Sequence, residues 1–309
     1  MSPNLRRFRA RPGAAALATV ALALVGTALA LPGATVASAV PAAGPTGDAA
    51  ASATPRAATS QRLVPAGWPN RGNTGATGEL RRVSGRTVTK DGAVLKDLEV
   101  KGTLTIRADN VTLRNVRVLA DSYYGIIIYG RNTVIEHSTV AGTNLKVMAG
   151  IAVIDGNVIA TRVKVRAVED GVRLGDNSVL RYSLVYNLRG DDSSHFDGVT
   201  ADGGYRGWRM IHNTILNPHR QTGAVWVGDG RYGDSEGVLK GNYIAGGGYS
   251  IYAGPGTGKG IRVVDNVFST RYYPRSGYWG VSSRWESAGN TWSGNTWHDG
   301  TRKGDPVRP

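Results

Sequence analysis

Four copies of one short pattern indicate how this chain folds: Asn213-Thr-Ile, Asn242-Tyr-Ile, Asn266-Val-Phe and Asn295-Thr-Trp. Related copies occur earlier in the chain, where they begin at Asp97, Asn115, Ser138, Arg162 and Ser183. Successive copies begin 18 to 30 residues apart. Repeats of this length predict stacked units that bury a core only when they pack on one another. The copies are β-branched and alternating, so each unit is predicted to consist of strands.

Two further strands accompany each copy of the pattern. A small residue and an apolar strand follow it, as in Gly171-Val-Arg-Leu and Gly198-Val-Thr-Ala, and a short strand such as Val111-Thr-Leu precedes it. Three strands per turn predict an all-β solenoid of about nine coils, with neighbouring strands ~4.8 Å apart. The Asn and Ser that begin the copies are predicted to form an internal ladder, in which each side chain bonds the backbone of the next coil. Arg162 interrupts the ladder and is predicted to point outward.

This arrangement resembles the right-handed parallel β-helix of the pectate-lyase-like superfamily over residues of about 85–300. The segments Trp68-Pro-Asn, Asn73-Thr-Gly and Gly246-Gly-Gly-Tyr-Ser-Ile-Tyr-Ala-Gly also resemble a group of secreted actinobacterial β-helix proteins. The resemblance implies the fold and makes polysaccharide chemistry an expectation. No run of this sequence matches the catalytic arginine segment of pectate lyases, so the resemblance carries over no catalytic residue.

The N-terminal region predicts export. Four arginines precede an apolar run over residues 14–31, and Ala37-Ser-Ala39 supplies the small residues of a cleavage site. Residues 1–39 are therefore predicted to be a signal peptide, cleaved after Ala39, on either the general secretory or the twin-arginine route. Residues 40–62, rich in Ala, Pro and Thr, are predicted to be a disordered linker. Residues 63–309 are predicted to form the β-helix domain of a secreted, extracellular monomer with no membrane span after signal removal.

Charge and cysteine content restrict the partners. The formal net charge is +14, and +10 remains without the four arginines of the signal peptide. A basic exported protein is expected to bind an acidic polysaccharide or cell-wall glycan, whereas no nucleic acid is expected. The chain has no cysteine and five histidines, which excludes disulfides and argues against a zinc site.

An acidic cluster is the strongest candidate for chemistry. The residues just before the second strands form one predicted line along the solenoid: Tyr124, Ala149, Asp170, Asp197, Gly223, Tyr249 and Trp279. Asp170 and Asp197 therefore fall on adjacent coils, and two carboxylates that close need a shared proton or a shared cation. The loop before Asp197 adds further polar candidates: Asp191, Asp192 and His195. We predict a Ca²⁺ site built by Asp170 and Asp197 with Asp191 or Asp192, and the alternative is that each Asp-Gly pair is a turn.

The second strands also carry a candidate sugar platform. Arg173 falls beside the aspartates, and Trp226 and Tyr252 follow on later coils of the same outward line. Flat aromatic side chains beside charged groups suit the apolar faces of sugar rings. Arg220, in the loop before Trp226, is predicted to hold a substrate carboxylate in a bidentate contact.

The favoured function is that of a polysaccharide lyase, which cleaves an acidic polysaccharide by β-elimination. Its predicted catalytic residues are His195, Arg173 and Asp197, with His195 or Arg173 as the base and Ca²⁺ as the neutraliser of the uronate carboxylate. A glycoside hydrolase is a second hypothesis, because His195-Phe-Asp-Gly is similar to the Asn-Thr-Asp-Gly segment of β-helix glycosidases. A C5-epimerase shares the first step of the lyase. A non-catalytic glycan- or wall-binding β-helix protein is the third hypothesis.

Overall fold

The fold is built almost entirely of strands. The computed structural model describes residues 64–228, 233–253 and 258–309, so the predicted signal peptide and linker lie outside the described residues. Three long strands open the fold: β1 Arg81–Val88, β2 Val94–Ile106 and β3 Thr112–Ala120. Among the described residues the one helical element is a 3-10 turn, Gly300–Arg302, and no helix there is long and apolar enough to cross a membrane.

The later strands repeat in a cycle of three, and each position in the cycle forms one face of the solenoid. Face A holds β4 Tyr124–Ile128, β7 Ala149–Val153, β10 Asp170–Leu174, β13 Val199–Ala201, β16 Gly223–Val227, β19 Tyr249–Tyr252 and β22 Gly280–Ser283. Face B holds β5 Thr133–Glu136, β8 Val158–Thr161, β11 Val179–Arg181, β14 Arg206–Ile211, β17 Glu236–Lys240, β20 Ile261–Val264 and β23 Thr291–Ser293. Face C holds β6 Thr139–Gly142, β9 Lys164–Arg166, β12 Leu184–Tyr186, β15 Thr214–Asn217, β18 Tyr243–Gly246, β21 Val267–Phe268 and β24 Thr296–Trp297.

All named strand pairs are parallel, and from β4 onward each strand pairs with the strand three places later. Counting the ends of β1 and β2, face A has nine rungs. The central residues of these rungs are at most 1% exposed and fill the interior: Ile126, Ile151, Val172, Val199, Val225 and Ile251. The predicted all-β parallel β-helix of about nine coils is confirmed.

A ladder of buried amides runs inside the corner between faces B and C. Asn213 Nδ2 donates to Asn242 Oδ1 (2.9 Å), Asn242 Nδ2 to Asn266 Oδ1 (2.9 Å) and Asn266 Nδ2 to Asn295 Oδ1 (3.0 Å). Each of these acceptor oxygens also receives a backbone N–H of the preceding coil, at 2.8–2.9 Å. The predicted internal ladder is therefore present, and it satisfies backbone groups that the turn leaves without a strand partner.

The register of two earlier copies of the pattern differs from the prediction by one residue. Val116 and Val163, rather than Asn115 and Arg162, occupy the ladder position, where their N–H groups donate to Ser138 Oγ and Ser183 Oγ (3.1 Å each). Asn115 and Arg162 instead form the corner before the ladder, with a φ of 53° at both. Asn tolerates this left-handed conformation better than most residues, so Asn suits the corner position as well as the ladder position. The two positions therefore cannot be distinguished by the residue type alone. Arg162 is exposed, and its predicted outward direction is confirmed.

The segment before β1 lies across face C. The Trp68 ring stacks on His212 with 4.9 Å between ring centroids, and Lys164 Nζ donates to the carbonyl of Arg71 (2.7 Å). Gly75 N–H donates to the carbonyl of Arg162 (2.8 Å). These contacts hold the segment against the outside of face C.

Candidate functional site

The glycines that follow Asp170 and Asp197 fix where these two aspartates lie on face A. A Cβ on Gly171 would lie 2.4 Å from Val185 Cγ1, and one on Gly198 would lie 2.6 Å from Ile215 Cγ2. Both valine and isoleucine belong to the core, so these positions face inward and have no room for a side chain. Neither glycine has a positive φ. Space, rather than a positive-φ turn, therefore requires glycine after each aspartate.

Asp170 and Asp197 lie on adjacent rungs, as their sequence positions predict. Asp170 Oδ1 accepts the backbone N–H of Asp197 (3.1 Å), and Asp197 Oδ1 accepts the backbone N–H of Gly223 (2.9 Å). The two residues are only 8% and 6% exposed. Each carboxyl group is therefore held by the next rung and is largely removed from water.

This environment keeps a proton on the pair near neutral pH. Burial raises the pKa of Asp197 to about 7, against the opposing effect of hydrogen bonds from Gly223 and Thr222. Burial and then the charge of Asp197 raise the pKa of Asp170 well above its ordinary value. Two carboxyl groups this close cannot both ionise cheaply, so the pair titrates as a unit. At neutral pH it can both donate and accept a proton.

The raised pKa values predict that the protein loses stability as pH rises. The ordinary pKa of Asp197 is 3.8 and its folded value is about 7, so between these values the folded state binds more protons than the unfolded state. The free energy of unfolding should fall across that window and level off above it, by on the order of 4 kcal/mol for this group.

Denaturant unfolding at pH 4 to 8 measures this effect. Asp197→Asn should flatten the pH dependence, and the exposed Asp155→Asn should retain it. A wild-type profile that stays flat from pH 4 to 8 would contradict the burial argument.

Arg173 is the cation of the site. Its Nη2 lies 3.6 Å from Asp202 Oδ2, and its Nη1 contacts Met148 Sδ at 3.4 Å. Burial alone would lower the pKa of Arg173, but Asp202 and Asp170 outweigh it and raise the pKa. Arg173 therefore stays charged. About a third of its side chain is exposed, at 36%, so the guanidinium can also contact a ligand.

The loop before Asp197 is organised by Glu169, which the sequence did not single out. Glu169 Oε1 accepts the N–H of His195 (2.9 Å), and Oε2 accepts the Ser194 hydroxyl (3.0 Å). His195 is exposed, and its described hydrogen bond is through the backbone. Asp191 Oδ1 accepts the Ser193 hydroxyl (2.6 Å) and the Ser193 N–H (2.9 Å) within the loop, and these bonds lower the pKa of Asp191. Asp192 is exposed.

The four predicted Ca²⁺ ligands do not converge on one point. Asp170 and Asp197 are buried and each bonds a backbone N–H, whereas Asp191 and Asp192 are exposed on the loop. Within 64–228, 233–253 and 258–309, no three Asp, Glu or His side chains are placed to hold a metal ion. Ca²⁺ prefers six to eight oxygen ligands. These residues as placed do not fit that ion.

The predicted platform lies on the same face, two rungs beyond the Asp170 coil. Arg173, Thr200, Trp226 and Tyr252 pair in one register line across β10, β13, β16 and β19. The rings of Trp226 and Tyr252 are 4.7 Å apart and tilted by 41°, and both are half-buried. The indole N–H of Trp226 and the hydroxyl of Thr200 have no hydrogen-bond partner among the described residues. Both polar atoms are buried, so the surface that the platform offers to a sugar is the half-buried pair of aromatic rings.

Arg220 lies in the loop before β16 and contacts another loop rather than Arg173. Its guanidinium lies over the Tyr278 ring, 4.9 Å from the centroid. Tyr273, whose hydroxyl donates to the carbonyl of Pro218, holds this loop against the next one. Arg220 is exposed and remains a predicted substrate contact.

Three residues next to the site were not predicted to be functional: Tyr124, Glu169 and Asp202. Burial raises the pKa of Tyr124, whose hydroxyl interacts electrostatically with Arg173 and Asp170. Asp202 follows β13 directly and pairs with Arg173. In the sequence, Asp202 could have been noticed because it follows the strand that begins next to Asp197. Only the strand register shows that Asp202 contacts Arg173.

No protein-family model matches this chain, and no curated protein matches it significantly. Among solved structures, an alginate lyase from Paenibacillus sp. str. FPU-7 is 12% identical with a TM-score of 0.40, covering 70% of this chain and 97% of that one. The catalytic unit of a thermostable GH87 alpha-1,3-glucanase from Streptomyces thermodiastaticus strain HF3-3 is 10% identical with a TM-score of 0.31, covering 70% and 50%. Similarity this low carries no argument about the chemistry of this chain.

Proposed function

We propose that this protein is a secreted carbohydrate-active enzyme that cleaves an acidic polysaccharide by β-elimination over face A. The observation that carries the proposal is the pair of buried carboxyl groups, Asp170 and Asp197, on adjacent rungs beside the charged Arg173. The aromatic platform of Trp226 and Tyr252 continues from this pair along the same face. One face of the solenoid thus combines acid–base groups, a cation and surfaces for sugar rings.

Arg173 is the proposed partner of the uronate carboxylate. β-Elimination removes the proton at C5, and neutralising the adjacent carboxylate makes that proton more acidic. A guanidinium can bind a carboxylate through two parallel hydrogen bonds. Because its pKa is raised, Arg173 is better suited to this role than to the role of base.

Asp197 is the proposed base. With a pKa of about 7, its carboxylate is well matched to proton transfer at neutral pH. The exposed His195 ring remains the alternative base. As the C5 proton moves to the base, a C4–C5 double bond forms and the C4–O bond breaks. The electron pair of the C4–O bond leaves with the glycosidic oxygen, which takes a proton from Asp170 or Tyr124.

Hydrolysis is the second candidate, and the carboxyl pair itself favours it. Glycosidases use one protonated and one ionised carboxyl group, and a short separation is typical of retaining enzymes. In hydrolysis, a water molecule would be the second reactant, which β-elimination does not need. A C5-epimerase would share the proton abstraction and return the proton to the opposite face.

A substrate panel distinguishes these reactions. The purified protein would be incubated with pectate, alginate, glucuronan, hyaluronan and neutral glycans, with Ca²⁺ or with a chelator. Ultraviolet absorbance of the unsaturated product together with new reducing ends supports elimination. Reducing ends without absorbance indicate hydrolysis, and retention of a glycan without either signal indicates a binding protein. A strict need for Ca²⁺ would restore the predicted metal site.

Trp226→Ala tests the platform independently of the chemistry. Losing the indole surface should weaken glycan binding about tenfold, or about 1.4 kcal/mol. Affinity electrophoresis or calorimetry with the glycan found above measures the effect. Tyr182→Ala is the matched control, because Tyr182 is 41% exposed at the corner before face C. Equal affinities of the two variants would show that sugars do not bind over Trp226.

A further inference from the structure

The line of positions that carries the carboxyl pair continues to a basic cleft at the end of the solenoid. From Asp197 the rungs proceed to Gly223, Tyr249 and Gly280. The register places Gly280 opposite Tyr249, so the predicted position of Trp279 on this line is wrong by one residue. The long loop before β22 conceals this register in the sequence. Three rungs at ~4.8 Å place the cleft about 14 Å along the axis from Asp197.

The cleft joins the aromatic platform without a break. Tyr249 is part of its wall, and the Tyr249 ring lies 6.1 Å from that of Tyr252. Trp279, which is 56% exposed, forms another part of the wall. The cleft encloses about 480 Å³. A chain bound over Trp226 and Tyr252 therefore meets this cleft next.

Positive charge distinguishes the cleft, and one of its cations, the Arg302 guanidinium, lies over the Trp297 ring, 3.7 Å from the ring centroid. Arg275, Arg302 and Arg308 line it, and Asp305 is its one acidic side chain among the described residues. Arg275 Nη2 donates to the carbonyl of Tyr278 (3.3 Å), and Arg302 Nη2 donates to that of Pro274 (2.9 Å). These bonds orient the two guanidinium groups and leave most of their donors unused. In the part of the chain that the structure describes, none of the three arginines forms an ion pair.

We infer that this cleft is a second anion-binding subsite, which takes the carboxylate of a uronate residue several sugars away from the bond that is cleaved. The inference rests on the proposed function for the direction of the chain and deepens it. Planar carboxylates match the guanidinium fork, and the exposed ring of Trp279 matches a sugar face. A polymer of alternating or continuous uronates would contact Arg173 and this cleft together.

The test uses oligosaccharides of two lengths in an Asp197→Asn background, in which turnover is expected to be strongly reduced. Calorimetry gives the Kd for a short uronate oligomer, a long one, and a neutral glucan oligomer of the same length. Arg275→Gln should weaken binding of the long uronate oligomer about tenfold and leave the short and neutral oligomers unchanged. Arg262→Gln is the matched control, because Arg262 is exposed on β20 of face B, and it should change none of the three.

Equal loss for long and short oligomers, or no loss at all, would overturn the subsite. A glycerol-phosphate polymer that binds through Arg275 where uronates do not would overturn the ligand class. The two proposals can fail separately: absence of cleavage in the substrate panel removes the enzyme, whereas a length-dependent effect of Arg275 in binding would still support the subsite.

Discussion

Asp197→Asn is expected to lower turnover by about 10²- to 10⁴-fold, the range that a positioned acid–base group contributes. Asn retains the size of Asp and an oxygen that can accept the N–H of Gly223, which Asp197 accepts at 2.9 Å. It cannot exchange a proton. The change therefore removes the proposed chemistry while preserving the shape of the rung, and the measurement is kcat on the substrate identified by the panel.

Two further variants test whether the loss of turnover is specific to the carboxyl pair. Asp170→Asn should also reduce kcat, because it removes a proposed proton donor to the leaving oxygen while keeping an oxygen that can accept the N–H of Asp197. Asp155→Asn, an exposed substitution of the same kind, should leave kcat unchanged. Full activity of Asp197→Asn would exclude this carboxyl pair as the acid–base apparatus.

Asn242→Ala is expected to destabilise the fold by about 3–5 kcal/mol, the largest loss of stability that we predict. The Asn242 amide forms four hydrogen bonds. Its Oδ1 accepts from N and Nδ2 of Asn213, and its Nδ2 donates to the carbonyl of Met210 and to Asn266 Oδ1, all at 2.8–2.9 Å. Alanine would leave these buried groups unpaired, and a buried polar group without a partner costs more than the bond contributed.

Hydrogen exchange and thermal unfolding measure this change. Each coil contacts chiefly its neighbours, so the loss should appear first as faster exchange in the coils around residues 213–266. Asn144→Ala is the control, because the exposed Asn144 also donates a hydrogen bond, to the carbonyl of Asp121 (2.8 Å). A change below about 1 kcal/mol for Asn242→Ala would show that the ladder is not a source of stability.

Much of the fold could be predicted from the sequence because the same local pattern of residues recurs in every coil. Alternating apolar residues specify which side of each strand faces the core, and the spacing of copies specifies the stacking. The ladder of Asn213, Asn242, Asn266 and Asn295 was predicted on this basis and is present. Errors arose where one residue type suits two adjacent positions: the corner before the ladder accepts Asn as readily as the ladder does, and Asn115 was placed one position off.

The parallel β-helix, its number of coils and the adjacency of Asp170 and Asp197 could all be predicted from the repeat, because one rung follows the next at a fixed spacing. The repeat did not determine what surrounds the pair. Loops of irregular length carry Glu169, His195 and Asp202, and their contacts with one another depend on how each loop folds back on the coils. Only the tertiary structure buries both carboxyl groups, turns Asp191 and Asp192 to the surface and brings Asp202 to Arg173. Burial and charge proximity are properties of the assembled coils, and they decide whether two aspartates hold a cation or share a proton.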